Sequence, residues 1–451
     1  MRVLFRTFGC KANQYDTERM RQELEALGAR CVSEFRDAQL CVVNTCTVTN
    51  QADADARRFV RRARRENPDI EVLVAGCSSA LDPQMYREMD GVVAVVEGHD
   101  PVQVAQAALA SPNGLGCHPP ERRREPAPLV HLESRFSRTA LESEPVGGEL
   151  LRRRAGGARG WLKIQDGCDR KCSFCATRLA RGSSRSRSQD EIVAEAKLMA
   201  ESHPELVLTG IHIGHYGRDL GSGSTLSKLT ATLLEEVPDV RFRLGSVEAT
   251  EVDDLLLELL QRSGERLAPH LHMPMQSGSD TMLRRMRRWH TREAYRTRTL
   301  EIAERFPVLG LGADVITGFP GETEEDHDLT RALVEELPFT YLHVFPFSPR
   351  KGTPATGLPD PVPQRIAGER SRELRELALE KGMAYRAGRV GQLAHVVLEG
   401  SGGWALTEDY LRVESVREIP VSSRIPPGIV SVRLQGTGDH LYIDLSHPLA
   451  N

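Results

Sequence analysis

The chain has 451 residues, 40% of them hydrophobic and 27% charged, with a formal net charge of −4. That length exceeds one ordinary core and predicts two or three domains, and no apolar run approaches bilayer length, which argues against a membrane role. The small net charge excludes a polycation drawn as a whole to nucleic acid, so any such contact has to come from local patches.

The opening MRVLFRTFGC runs directly into a strand-like pattern, without the apolar core and cleavage site of a secretory signal, and predicts a cytoplasmic protein. In that compartment nine cysteines argue for metal binding or chemistry rather than disulfides.

Residues 1–110 alternate strand-like runs (3–8, 40–44, 71–75) with helical patterns (17–27, 53–65), the mark of an α/β domain with a parallel sheet. From 111 to 159 the periodicity fades into a Pro-, Gly- and Arg-rich linker. Six strand runs follow between 160 and 386, namely LKIQ, ELVLTG, RFRLGS, HLHMPM, LGADVITG and YLHVFPF, and fit a βα barrel, partial or complete. A helical stretch (364–386) precedes short strands from 387 to 451, read as a small β-barrel.

Cys168, Cys172 and Cys175 lie in one loop directly after LKIQ. Three thiolates so close suit an iron-sulfur cube whose fourth iron is left open. Structural zinc is the other reading; it needs a fourth ligand, and His203 is the only nearby candidate in the flanking sequence. Cys10, Cys46 and Cys77 each sit just past a predicted strand, and strand ends of a parallel sheet share the edge where ligands bind. Cys41, inside a strand, and Cys31 and Cys117 read as small buried hydrophobes.

The 168–175 spacing, with Phe174 before the last cysteine, resembles the radical S-adenosylmethionine (SAM) superfamily. The strings TFGCKANQYDTE, NTCTVTNQAD, AGC, KIQDGCDRKCSFC and RGSSRSR resemble the methylthiotransferase family. LTGIHIGHYGRDL, HLHMPMQSGSD, ITGFPGETEED and FPFSPRKGTPA continue the match, and the C-terminal strands resemble a TRAM RNA-binding domain.

The resemblance implies two 4Fe-4S clusters, an auxiliary one on Cys10, Cys46 and Cys77 and a radical one on Cys168, Cys172 and Cys175. SAM would serve as methyl donor and radical source, near Gly210, Ser246, Glu248, Ile316 and Gly318; Asp314 stands where the superfamily often has Gly. Packing or turn formation is the other reading of those five positions.

GCKANQYDTE, NTCTVT and LTGIHIGHYG look like the branch acting on N6-threonylcarbamoyladenosine at position 37 of tRNA, where other branches read GCxMNxxDS or GCPKNxxDS. The implied partners are tRNA, a reductant protein such as flavodoxin or ferredoxin, and a sulfur donor. The alternatives are the same chemistry on isopentenyladenosine or on a ribosomal-protein aspartate, and a non-catalytic iron-sulfur RNA-binding protein.

Local basic patches support an RNA acceptor. Arg57, Arg58, Arg61, Arg62, Arg64 and Arg65 fall on one predicted helix, and Arg284, Arg285 and Arg288 within LRRMRRWHTREAYRTR. A solvated helix face is the ordinary alternative. Trp404, Tyr410 and Tyr442 are read as base-stacking or core residues, and Arg181, Arg185 and Arg187 as contacts to SAM or RNA or as solvent-facing.

Overall fold

In the computed structural model, residues 1–112, 150–221, 223–399, 403–416 and 428–445 are described. Cys117 and positions 113–149 of the expected linker lie outside them.

The N-terminal part is an all-parallel sheet of β1 (Arg2–Thr7), β2 (Arg30–Cys31), β3 (Leu40–Thr45), β4 (Glu71–Gly76) and β5 (Val92–Val95), in the order β2-β1-β3-β4-β5. Every residue of β3 and β4 is buried, as expected of central strands covered on both faces. Met20, Leu24 and Val104 cover one face and Ala56, Val60 and Ala63 the other. The order reverses between β1 and β3, which makes the edge beyond their C-terminal ends the expected ligand crevice.

The first helix spans Lys11–Ala26 and so begins six residues before the predicted 17. Its first turns bury Asn13, Asp16, Thr17 and Arg19, polar residues that erase the apolar periodicity from which helices are read.

A second unit begins at β6 (Arg159–Lys163), followed by a short antiparallel pair, β7 (Gln165–Asp166) and β8 (Arg185–Ser186). Five parallel strands continue it: β9 (Glu205–Thr209), β10 (Arg241–Leu244), β11 (His270–His272), β12 (Gly310–Thr317) and β13 (Tyr341–Pro346). Parallel bridges Phe242–Leu267 and Ser246–His272 join the halves into β6-β9-β10-β11-β12-β13. All six predicted runs are therefore strands of one open barrel. Ser188, Thr225, Asp253, Ser279, Thr291 and Thr323 cap its helices through side-chain oxygens.

The N-terminal unit spans the opening between β6 and β13. Its first helix packs on β6, and Arg350, beyond β13, bonds Asn50 and Thr47 at 2.6 and 2.7 Å.

After the helix Gln364–Arg389 come β14 (Leu393–Glu399), β15 (Trp404–Leu406), β16 (Arg412–Ser415), β17 (Ile429–Arg433), β18 (Gln435–Gly436) and β19 (Leu441–Ile443). The expected small barrel is a curled six-stranded sheet, a half-barrel around Val396, Val413, Leu434 and Ile443. It docks where the barrel strands begin: Arg241 donates to the His395 carbonyl at 2.7 Å and Arg243 to the Glu408 and Thr407 carbonyls at 2.8 and 2.9 Å. Among the described residues no helix is long and apolar enough to cross a membrane.

Barrel strands alternate in character. Leu162, Leu206, Leu208, Phe242, Leu244, Leu271 and Leu311 belong to the large apolar core beneath the helices. Lys163, Glu205, Arg241, Arg243, His270, His272, Asp314 and Tyr341 point the other way, into the lumen. Glu205 is fully buried and bonds Arg241 and Arg243 at 2.6 and 2.8 Å. Burial pushes its carboxyl up, but Arg243 and Arg241 together outweigh that and hold it well below the ordinary range.

Glu205→Ala is expected to cost about 3–5 kcal/mol, because it strands buried guanidinium groups; chemical denaturation measures it. The carboxylate's contribution is present above about pH 4.3, the unfolded value, and shrinks as pH falls towards the depressed folded one.

Candidate active site: two cysteine triads and a polar lumen

Cys46 and Cys77 directly follow β3 and β4, Cys10 follows β1 with two residues between, and the three meet at the predicted sheet edge. Gly9 makes the approach possible: at φ +105° it takes a conformation side chains disfavour, and a Cβ there would lie 2.7 Å from the Cys46 sulfur. Burial, with Cys10 adding to it, pushes the Cys46 thiol up to about 11; burial, with Cys46 and Cys10 adding to it, pushes Cys77 up to about 12. Thiolates gathered at one edge are costly unless a metal compensates their charge, and thiolate coordination does so. Cys41 is fully buried within β3, as expected of a structural cysteine.

Cys168, Cys172 and Cys175 occupy the loop after β7, fixed by Cys168 N–H to the Gly182 carbonyl at 3.0 Å and Cys175 N–H to the Cys172 carbonyl at 3.3 Å. Ser173 ties the loop to the barrel through the Met286 and Arg285 carbonyls, at 3.0 and 2.8 Å. Burial, with Cys175 and Cys172 adding to it, pushes the Cys168 thiol up to about 12. Its sulfur lies 3.4 Å from Nδ1 of His212, whose Nε2 is 2.8 Å from Glu251. Among the described residues no fourth cysteine is in hydrogen-bond contact with this loop, and three thiols fit a cluster that keeps one iron open.

Arg288 requires a correction. It was read as a surface RNA contact, yet its side chain is 4% exposed, sits 2.5 Å from Glu248 and points a guanidinium nitrogen at the Cys172 sulfur, 3.6 Å away. Arg181 and Arg187 are likewise not at the surface. Arg187 is enclosed by Glu195 and Tyr15, and Arg181 ties the first triad to the foot of the second loop: it donates to the Cys77 sulfur at 3.2 Å, Asn13 and Asp16 at 2.6 Å, and Asp166 at 2.9 Å. Lys163 bonds Asp16 and Asp166 at 2.7 and 2.5 Å, and His99 lies 2.8 Å from Asp166.

One cavity of about 130 Å³ lies between the two cysteine-bearing segments. Val48 and Thr49, just past Cys46, line it together with Phe174 of the second loop, Gln276, Asp314 and Ile316. Of the expected SAM positions, Ile316 lines this cavity and Glu248 lies beside the second triad through Arg288. Ser246 is exposed at the end of β10, beside His272 of β11. Gly210 packs under the Gln165 carbonyl, 2.7 Å from where a Cβ would stand. Gly318 is a packing glycine: its N–H bonds Glu322 at 2.7 Å and a Cβ would strike Ala367, so it does not face the cavity.

The basic helix is Asn50–Glu66. Arg58, Arg61, Arg62 and Arg65 are exposed on it, with Arg58 and Arg62 paired to Asp55 and Glu66; Arg57 packs on Met85, and Arg64 pairs with Asp90 at 3.0 Å. Arg284 is exposed and Arg285 donates to the Pro320 carbonyl at 2.8 Å. Tyr410 is not on an RNA-facing surface; it stacks on His270, 4.3 Å between centroids, under the barrel. Trp404 packs with Arg412, and Tyr442 with His440.

Sequence reasoning overlooked Lys11, Asn13, Asp16, Lys163, Asp166 and the lumen. The signal was present: RFRL, HLH and YLH alternate polar with apolar residues, whereas a filled barrel would carry apolar side chains on both faces.

Residues 2–98 match the uncharacterized protein family UPF0004 and residues 162–333 the radical SAM superfamily. The superfamily match carries with it SAM and one 4Fe-4S cluster. Among solved structures the chain resembles the radical SAM methyltransferase TsrM of Kitasatospora setae, with a TM-score of 0.57 and 17% identity over 78% of this chain and 76% of that one, a likeness of fold. It is 34% identical over 428 residues to the threonylcarbamoyladenosine tRNA methylthiotransferase MtaB of Rickettsia prowazekii, covering 94% of each chain. With the MtaB of Bacillus subtilis it shares 36% over 399 residues, 88% of this chain and 84% of the relative. With the tRNA-2-methylthio-N(6)-dimethylallyladenosine synthase of Bacillus pumilus it shares 32% over 405 residues, 88% and 75%. Similarity of that extent, over both parts that carry the cysteines, means that the chain belongs to the methylthiotransferase family of radical SAM enzymes.

Proposed function

We propose that the protein is a tRNA methylthiotransferase that converts N6-threonylcarbamoyladenosine, next to the anticodon, to its 2-methylthio derivative. The observation that carries the reading is the placing of two cysteine triads at one domain junction, where buried Arg181 bonds both the Cys77 sulfur and Asp166, two residues before Cys168. Cys168, Cys172 and Cys175 would hold the radical cluster and Cys10, Cys46 and Cys77 an auxiliary one. Bound there, the first cluster with SAM supplies one-electron sulfonium cleavage and hydrogen abstraction, and the second supplies the sulfur to be methylated and transferred.

The chain's own residues prepare that site. Arg288 and Arg181 each set a positive charge against one triad, offsetting the negative charge that thiolates bring into a buried place. His212, held by Glu251, fixes the orientation around Cys168. Phe174 and Ile316 give the cavity apolar walls that keep water from a reactive centre. In this reading residues 1–110 carry the auxiliary cluster, 160–386 the radical chemistry and 387–451 an RNA contact, with 111–159 as linker. The exposed Arg61 and Arg65 would meet tRNA phosphate. A reductant protein and a sulfur donor would complete the cycle in the cytoplasm.

Cys168→Ala is expected to abolish reductive cleavage of SAM to deoxyadenosine in anaerobically reconstituted protein, and Cys46→Ala to spare that cleavage while stopping methylthio transfer. Transfer surviving in Cys46→Ala would remove the auxiliary-cluster assignment. Nucleoside mass spectrometry of tRNA from cells lacking the gene should show loss of 2-methylthio-threonylcarbamoyladenosine with other 2-methylthio nucleosides retained; an unchanged profile refutes the acceptor.

A further inference from the structure

At the end of the lumen sealed by the C-terminal sheet, Arg241 and Arg243 gather on Glu205, and Arg159 bridges Glu205 and Glu399. Lys11 enters the same space from the first helix, its ammonium 6.0 Å from the Trp161 ring centre and 5.8 Å from that of Tyr410. Four cations thus gather around Glu205 and Glu399, and Lys11 has no ion-pair partner among the described residues. Burial holds its ammonium below the ordinary lysine range.

Among the polar atoms buried here without a hydrogen-bond partner are Nε1 of Trp161 and Nδ1 of His270, on residues only 3% and 2% exposed. The other nitrogen of His270 meets the Tyr341 hydroxyl at 2.8 Å, and burial, then the charges of Arg243 and Lys11, hold this imidazole well below the ordinary histidine range. A lone ammonium and an orphan indole N–H between aromatic walls complement a small anionic arm. A hydrocarbon arm would leave both unsatisfied.

The acceptors named for the relatives differ in this respect: a threonylcarbamoyl arm carries a free carboxylate, a dimethylallyl arm none. We propose that Lys11, with the Trp161 N–H beside it, receives the carboxylate of the threonyl arm and so determines which adenosine is modified. The inference rests on the functional reading above and deepens it. Lys11 directly follows Cys10 at the start of one helix, so the group that reads the arm is fixed in place relative to the first triad.

The test uses full-length, anaerobically reconstituted enzyme and three anticodon stem-loop RNAs, carrying threonylcarbamoyladenosine, its methyl ester, or isopentenyladenosine. Wild type is expected to show a KM about ten- to a hundredfold higher for the ester than for the acid, the size of a charge-assisted hydrogen bond lost. Lys11→Met should abolish that difference by raising KM for the acid alone. Equal KM for acid and ester in wild type overturns the proposal, and this arm needs no variant, so it stands even if Lys11→Met fails to fold. A Lys11→Met enzyme that still favours the acid as wild type does overturns it too. Wild type that modifies only the isopentenyl RNA refutes the functional reading itself, a result distinct from equal use of acid and ester.

Discussion

The guanidinium of Arg181, fully buried, holds the two halves of this protein in one geometry. It bonds Asn13 and Asp16 of the first helix, the Cys77 sulfur at the sheet edge, and Asp166 at the foot of the second cysteine loop. Bringing such charges out of water costs several kcal/mol each, and only complete pairing offsets it. Burial works against the Asp16 carboxylate, yet Lys163 and Arg181 pull it below its usual range; the same balance, with Arg181 foremost, holds Asp166 lower still. Any sliding of the N-terminal unit on the barrel would leave buried charges without partners. The distance between the triads is therefore set by electrostatics at the domain junction as much as by either fold.

That constraint explains the barrel's unusual interior. Six strands leave a side opening, and the N-terminal unit spans it while the C-terminal half-barrel caps the end where the strands begin. Eight-stranded barrels fill their interiors with interlocking side chains. Here the wall strands put leucines under the helices and leave histidines, arginines and a tyrosine inside. Gly312 lets the Tyr341 ring lie against the backbone of β12: a Cβ there would stand 2.0 Å from that ring. Most of the apolar core lies in the outer layer, so the lumen is free to be polar at the cost of burying charges that ion pairs must offset.

The fold was legible in the sequence where burial is apolar and periodic. All six barrel runs and the strands before Cys10, Cys46 and Cys77 were read correctly, because β-branched and leucine-rich runs bounded by glycine mark buried parallel strands. The convergence of the triads followed from topology, since strand ends of one sheet share an edge. Burial that is polar was illegible. The helix at Lys11–Ala26 lost its first turns to buried Asn13 and Asp16, whose partners lie some 150 residues on at Lys163 and Arg181. Arg288 fell in a run of arginines, and nothing local distinguishes it from exposed Arg284; its partner Glu248 is supplied by another strand end.

A cluster held by three thiolates is a negative centre, and burial, with neighbouring thiols adding to it, already pushes the Cys77 and Cys168 thiols up. Two devices lower that cost. Strand-end placement brings the sulfurs together on backbone that is rigid before any metal arrives, so little ordering entropy remains to be lost on binding. One arginine then stands against each triad, Arg181 at Cys77 and Arg288 at Cys172, each anchored by a carboxylate that fixes its position and tempers its charge. Without the carboxylates the arginines would be buried and unpaired in the metal-free chain; without the arginines the thiolates would meet only other negative charge. The counter-charges are thus part of the fold before the metal is part of the site, and for that reason they look in the sequence like any other arginine.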